Sequence, residues 1–186
     1  MATTGRGVNG IDVSALEGAV EAISDDPGAG SFTLRAETEW EGAFTSVTSI
    51  DEFDQAGETI HSREFTLQGD EPEQILGERT GPNAVELLLG ALGSCLSVGY
   101  AANAAHVGID LDELRIEMEG NADLRGFLGI SEDVRPGYES VTCTAYVDAD
   151  ATEAELAELR ERVEATSPLV DAITNEVPLE THLVVE

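Results

Sequence analysis

The two cysteines are the first residues to test for chemistry. Cys95 lies in ALGSCLSVG, a run of small and apolar residues. A thiolate there can attack a peroxide or a disulfide, yet free cysteine is also among the most buried residue types and packs as a small hydrophobe. Both readings stand on the residues alone. The centre of a helix lends a thiolate no dipole support, so a reactive Cys95 needs a guanidinium beside it. Two arginines suit that task. Arg79 lies in the turn-rich stretch before the Cys95 segment, and Arg125 lies in LRGFLG. Arginine is always charged and can hold a thiolate; each can equally be a surface ion pair among many carboxylates. Cys143, in VTCTAYV, falls by strand alternation on the same apolar face as Val141, Ala145 and Val147 and reads as a small core residue.

Other chemistries lack their motifs. His61, His106 and His182 are far apart, and no HxxxH or CxxC spacing occurs. There is no GxGxxG, no P-loop and no GxSxG. Neither a metal nor a cofactor is expected. Two cysteines do not make a disulfide framework.

Charge narrows the setting. The chain has 38 acidic residues against nine arginines and no lysine, a formal net charge of −29. The acids are spread throughout rather than gathered in a tail. Self-repulsion of this size is relieved by strong screening, so the composition points to a cytoplasmic protein of a halophilic organism. It argues against nucleic acid, which needs clustered Lys or Arg, and against anionic membrane surfaces. The opening MATTGRGVNG has no basic region followed by an apolar stretch, so no signal peptide is expected. Residues 87–105 carry no formal charge and nearly match a membrane span. Their many Gly, Ser and Ala residues favour a buried core helix instead.

The elements that must position these residues follow from periodicity. Leu16, Val20 and Ile23 mark a helix over 14–24, with Ser14 and Glu17 as a capping box. DDPGAG at 25–30 ends it. Strands are expected over 32–40, 43–50 and 59–67, forming an antiparallel meander. GERTGPN at 77–83 leads into a helix over 84–107. Its residues at 90, 93/94, 97, 101 and 104/105 are all Gly, Ser or Ala, a face that admits a second copy of the helix or a tightly packed sheet. Strands follow at 111–119 and 138–148. Thr152 and Glu155 cap a helix over 152–166, which Ser167-Pro168 ends. A strand over 179–185 closes the chain. The fold class is α+β, as one domain over 1–186 with residues 1–30 an N-terminal helical extension.

The stretch GPNAVELLLGALGSCLSVGY at 81–100 resembles the central-helix signature of the OsmC/Ohr superfamily. NGIDVSALEGAVEAI, NADLRGFLGISEDVRPGYESV and SPLVDAITNEVPLE resemble one subgroup of OsmC-like proteins. The resemblance implies an intertwined homodimer with antiparallel sheets wrapped around long central helices. It also implies reduction of organic hydroperoxides. Cys95 falls on the attacking cysteine, an Arg–Glu pair activates it, and Glu86 stands near the glutamate's position, with Arg79 or Arg125 as its partner. Ser167, before Pro168, stands where the family's resolving cysteine lies. This implies a one-cysteine route with an external thiol as reductant. The alternative is a non-catalytic OsmC-fold protein that binds an apolar small molecule at the dimer interface, with Cys95 merely packed; a weaker third reading is a structural stress protein.

Overall fold

The computed structural model describes residues 7–61 and 64–185. The first six residues of the polar lead, and residues 62–63 of the strand expected over 59–67, lie outside the described residues. The chain forms two compact units. Residues 12–88 make the first, and residues 7–11 with 89–185 make the second.

The first unit opens with α1 (Val13–Asp25). Its cap is Asp12, whose carboxylate accepts from the Ala15 N–H at 3.1 Å. Ser14, the expected start, is already inside the helix. A carboxylate at the N-terminus both caps and complements the helix dipole, so Asp12 holds the position. Six short strands follow: β1 (Phe32–Leu34), β2 (Glu37–Gly42), β3 (Thr45–Ile50), β4 (Phe53–Gln55), β5 (Glu58–Ile60) and β6 (Phe65–Gly69). They form two antiparallel sheets, ordered β1-β4-β5 and β2-β3-β6. The single strand expected over 32–40 is therefore two strands in different sheets. Phe32 stacks on Phe53 of β4, and Arg35 pairs with Asp54 at 2.6 Å. These contacts tie β1 to β4, while Glu37–Gly42 pairs with β3. The strand expected over 59–67 divides likewise into β5 and β6. Ala56 and Gly57, both at positive φ, make the two-residue turn between β4 and β5.

Beyond β6 the chain wraps around one buried carboxylate. Asp70 accepts from the backbone N–H groups of Glu71, Glu78 and Thr80 and from the Thr80 hydroxyl, at 2.7–3.1 Å. These bonds hold its pKa below the ordinary carboxylate range, the Thr80 and Glu71 amides contributing most. The loop closes so tightly that a Cβ on Gly77 would lie 1.7 Å from the Glu71 carbonyl oxygen. Leu76 and Arg79 both adopt positive φ. A depressed carboxylate stabilises the fold above its unfolded pKa of about 3.9. That contribution is lost as pH falls through the lower folded value. Asp70→Ala is expected to lower Tm at pH 7 by roughly 5 °C or more, since four donors lose their acceptor. The gap from the parent protein should narrow below pH 4 in thermal melts followed by circular dichroism. An equal gap at pH 7 and pH 3 would contradict this account.

The second unit is built on α2 (Ala84–Val107), most of which belongs to it. The helix has the bounds expected from the sequence. It is long and apolar enough to cross a membrane, but here Leu92, Leu96, Tyr100 and Ala104 recur every fourth residue and form the buried stripe of a core. They meet Leu159 and Val163 of α4 (Glu153–Thr166). Around them pack apolar residues of β7 (Leu111–Ala122) and β8 (Tyr138–Ala149), including Ile116, Met118, Val141 and Ala145. The two strands form one antiparallel ladder from Leu111–Ala149 to Ala122–Tyr138. The small-residue face of α2 finds a sheet at one point: a Cβ on Gly93 would stand 3.4 Å from Met118 Cγ. At Gly90 the same face meets open space. Asn9 fastens the lead to this unit. Its amide donates to the Ala101 and Ile109 carbonyls, and its oxygen accepts from the Leu111 N–H.

The short α3 (Leu124–Phe127) lies between the two strands. The capping box of Thr152 and Glu155 opens α4 as expected. Ser167-Pro168 ends α4 as expected, the helix stopping at Thr166, but a further helix follows at once. Pro168 is the first residue of α5 (Pro168–Thr174), and Ser167 caps it by accepting from the Val170 N–H at 3.3 Å. Residues 179–185, expected as a strand, have no strand partner among the described residues, and Leu179, Leu183, Val184 and Val185 are exposed. The architecture is α+β, with antiparallel sheets and a long central helix.

Candidate functional site: a thiol groove on the central helix

Cys95 lies at the middle of α2 and is half-buried. Its Sγ is 3.3 Å from the Oγ of Ser167. Two helices create this contact. A Cβ on Gly99 would stand 3.0 Å from Val163 Cγ1, so glycine lets α4 come close to α2 one turn beyond Cys95. The chain then leaves α4 at Ser167, which caps α5 and faces the thiol at once. The Ser167 oxygen accepts from Val170, and its single proton remains free to point at sulfur. A hydroxyl so placed can donate to a thiolate or to an oxidised sulfur. It cannot reduce either.

The thiol opens onto a groove of about 380 Å³. Val98, Gly99 and Ala102 of α2 line it on one side, and Val163, Thr166 and Pro168 on the other. Among the described residues, no arginine and no carboxylate lines this groove. An apolar wall with one thiol and a few hydroxyls suits a small organic molecule rather than an ion.

The other candidate residues have their own partners. Arg79 is exposed and forms a long ion pair with Glu73 at 3.8 Å. Its two neighbours in sequence, Glu78 and Thr80, both donate their N–H groups to Asp70. Asp70 thus fixes the strained turn that presents Arg79. Nothing in the sequence sets Asp70 apart from the other acids, and sequence reasoning misses it. Glu86 caps α2 reciprocally with Asn83: the Glu86 carboxylate accepts from the Asn83 N–H at 2.8 Å, and Asn83 Oδ1 accepts from the Glu86 N–H at 2.9 Å. Arg125 is gripped by Asp123, with Nε and Nη2 both on its carboxylate. This pairing brings Asp123 down to a pKa of about 2. Arg79 and Glu86 belong to the first unit, Cys95 and Arg125 to the second.

Cys143, expected as a small core residue, is instead exposed in the single chain; it lies opposite Met118 in the β7–β8 ladder. Desolvation, and then the Glu164 carboxylate, push its thiol above the ordinary value. A thiol so raised is a poor nucleophile at neutral pH.

Comparison with known proteins accords with this fold. The family model for OsmC-like protein matches residues 77–182, and the chain belongs to that family. Among solved structures it is similar to an OsmC-like protein from Mycoplasma pneumoniae, with TM-score 0.56, 15% identity, and coverage of 77% of this chain and 87% of that one. It is also similar to an organic hydroperoxide resistance protein, OsmC, from Legionella pneumophila, with TM-score 0.53, 17% identity, and coverage of 76% and 88%. A third is an OsmC-like protein of unknown function from Vibrio cholerae, with TM-score 0.58, 10% identity, and coverage of 77% and 95%. No curated protein sequence matches the chain.

Proposed function

We propose that this protein is a one-cysteine organic hydroperoxide reductase, acting in the cytoplasm in oxidative or osmotic stress defence. The contact between the Cys95 thiol and Ser167 in an apolar groove carries the reading. In the first step the Cys95 thiolate attacks the outer oxygen of the hydroperoxide. The O–O bond breaks, the alkoxide leaves and takes a proton, and sulfur becomes a sulfenic acid. Ser167 supplies a hydrogen bond but no second sulfur. An external thiol therefore attacks the sulfenic sulfur, releasing water. A second thiol then frees Cys95 and carries off the disulfide.

The cation this chemistry needs is Arg79 or Arg125, with Glu86 orienting it. Arg79 is the less constrained, since its long pair with Glu73 is exposed, whereas Arg125 is held by Asp123. The working form is a homodimer. The apolar side chains of Leu34, Trp40 and Phe44, and the segment over 179–185, which has no strand partner among the described residues, are exposed to solvent in the single chain and would be covered by a second copy.

A second reading, an OsmC-fold protein that binds an apolar molecule without turning it over, draws on the lack of any arginine in the groove lining. One experiment separates the two. The protein is pulsed with an organic hydroperoxide in molar KCl with dimedone present, and its intact mass is measured. The expected product is a Cys95–dimedone adduct, absent from Cys95→Ser and retained by Cys143→Ser. Excess peroxide without dimedone should carry Cys95 on to sulfinic acid. No mass change under conditions that oxidise free cysteine would sink the reductase and leave the binding protein.

A further inference from the structure

A second cavity in the core has lining residues distinct from those of the Cys95 groove. It measures about 240 Å³ and lies among α2, the β7–β8 ladder, α4 and α5. Most of its wall is aliphatic, from side chains such as Leu96, Val141 and Ile173. Five groups able to hydrogen bond also line it: the Tyr100 hydroxyl, the Cys143 thiol, the Arg160 and Glu164 side chains of α4, and the Thr174 hydroxyl of α5, which donates to the Val170 carbonyl at 2.8 Å. Arg160 and Glu164 lie one helical turn apart, pair with each other at 3.6 Å and are more than half exposed, which puts them at the mouth. Tyr100 is the deep group, only 4% exposed.

Tyr100 is the telling residue. A buried tyrosine hydroxyl ordinarily finds a partner. Tyr100 makes no hydrogen bond to any described residue, and its oxygen is not sealed from the cavity space. The cavity thus holds a donor without an acceptor at its inner end and an apolar wall around it. Its volume falls between that of an engineered cavity that takes benzene, about 150 Å³, and the smallest common ligand pockets, about 300 Å³.

We infer that this cavity binds a small uncharged amphipathic molecule, an aliphatic body with a single alcohol or carbonyl oxygen that accepts from Tyr100. Charge decides against an acid. Among the described residues the one cation in the lining, Arg160, is already paired with Glu164, and the chain carries −29 overall, so a carboxylate would be repelled. Burial raises the Tyr100 pKa, which keeps the phenol protonated and able to donate. The site is independent of the chemistry at Cys95.

The probe is 1-octanol, titrated calorimetrically into the full-length protein in molar KCl, with octanoate as the charged control. Saturable binding of one octanol per chain is expected, with octanoate at least about tenfold weaker. Tyr100→Phe keeps the packing and removes the donor, and should weaken octanol about fivefold, the worth of one hydrogen bond. Ile173→Trp fills the cavity from α5 and should abolish binding while the circular dichroism spectrum is retained. Val98→Trp, which instead fills the Cys95 groove, should leave octanol binding unchanged. The inference fails if no saturable binding occurs, if binding survives Ile173→Trp, or if octanoate binds as well as octanol.

Discussion

Ser167→Cys is expected to convert a persistent sulfenate into a fast internal disulfide. Ser167 Oγ is 3.3 Å from Cys95 Sγ, and a disulfide requires an S–S distance of about 2.05 Å. Side-chain rotation has about an ångström to close. The introduced thiolate would attack the Cys95 sulfenic sulfur, and the sulfenic oxygen would depart as water. The reacting atoms are already neighbours, so this step should outrun capture by a reagent in solution. After a hydroperoxide pulse, intact-mass spectra should show loss of two hydrogens, and the dimedone adduct should fall at least about tenfold. The same change removes a serine N-cap from α5, costing about 0.5–2 kcal/mol, so the reduced variant should melt slightly lower. A dimedone adduct as strong as in the parent protein would mean that the two side chains do not meet productively in solution.

Dialysis from molar KCl into dilute buffer is expected to unfold the protein, in whole or in large part. At 1 M salt the Debye length is about 3 Å, and at 0.1 M it is about 10 Å. Over that interval a net charge of −29 passes from screened to strongly self-repelling. The first unit should go first. Among its described residues Asp70 is the one buried polar anchor, and none of its six strands carries a fully buried side chain. Far-ultraviolet circular dichroism across a salt series reads the loss. Unchanged spectra and an unchanged mass in solution below about 0.1 M salt would refute the salt-dependent reading of the composition.

The parts of the fold legible in the sequence are those whose causes are local. The α2 bounds follow from a long uncharged run, and the α4 start follows from Thr152 and Glu155, which cap through their own side chains. The β7 and β8 segments carry an alternation that matches the partial burial of one face, Cys143 excepted. The failures each need a partner that sequence cannot name. Residues 32–40 alternate without a break, yet a different neighbour takes each half. Residues 179–185 have strand composition, but a strand exists only where another strand accepts its N–H groups. Pro168 is the stop it reads as, since α4 ends at Thr166, but the short helix that it opens is not foreseen, because proline is as well suited to the first turn of a new helix. At the site, Cys95 stands out by its surroundings. Its neighbour Ser167 is marked only by resemblance, because 72 residues separate the two in the chain. Asp70 carries no mark at all among 38 acids.

The double duty of Ser167 has a mechanical consequence. One oxygen both starts α5 and touches the sulfur that would be oxidised. An oxygen added to Cys95 from the groove becomes a new acceptor beside that hydroxyl, and the Ser167 proton can be drawn around to it. α5 has seven residues and none fully buried; Leu169 and Val170 pack against the core, and the Ser167 oxygen is the side-chain acceptor of its first turn. The amide of Val170 is therefore a gauge of the sulfur's oxidation state. Its exchange with solvent should quicken as the cap is disturbed, in a helix that takes no part in the reaction itself.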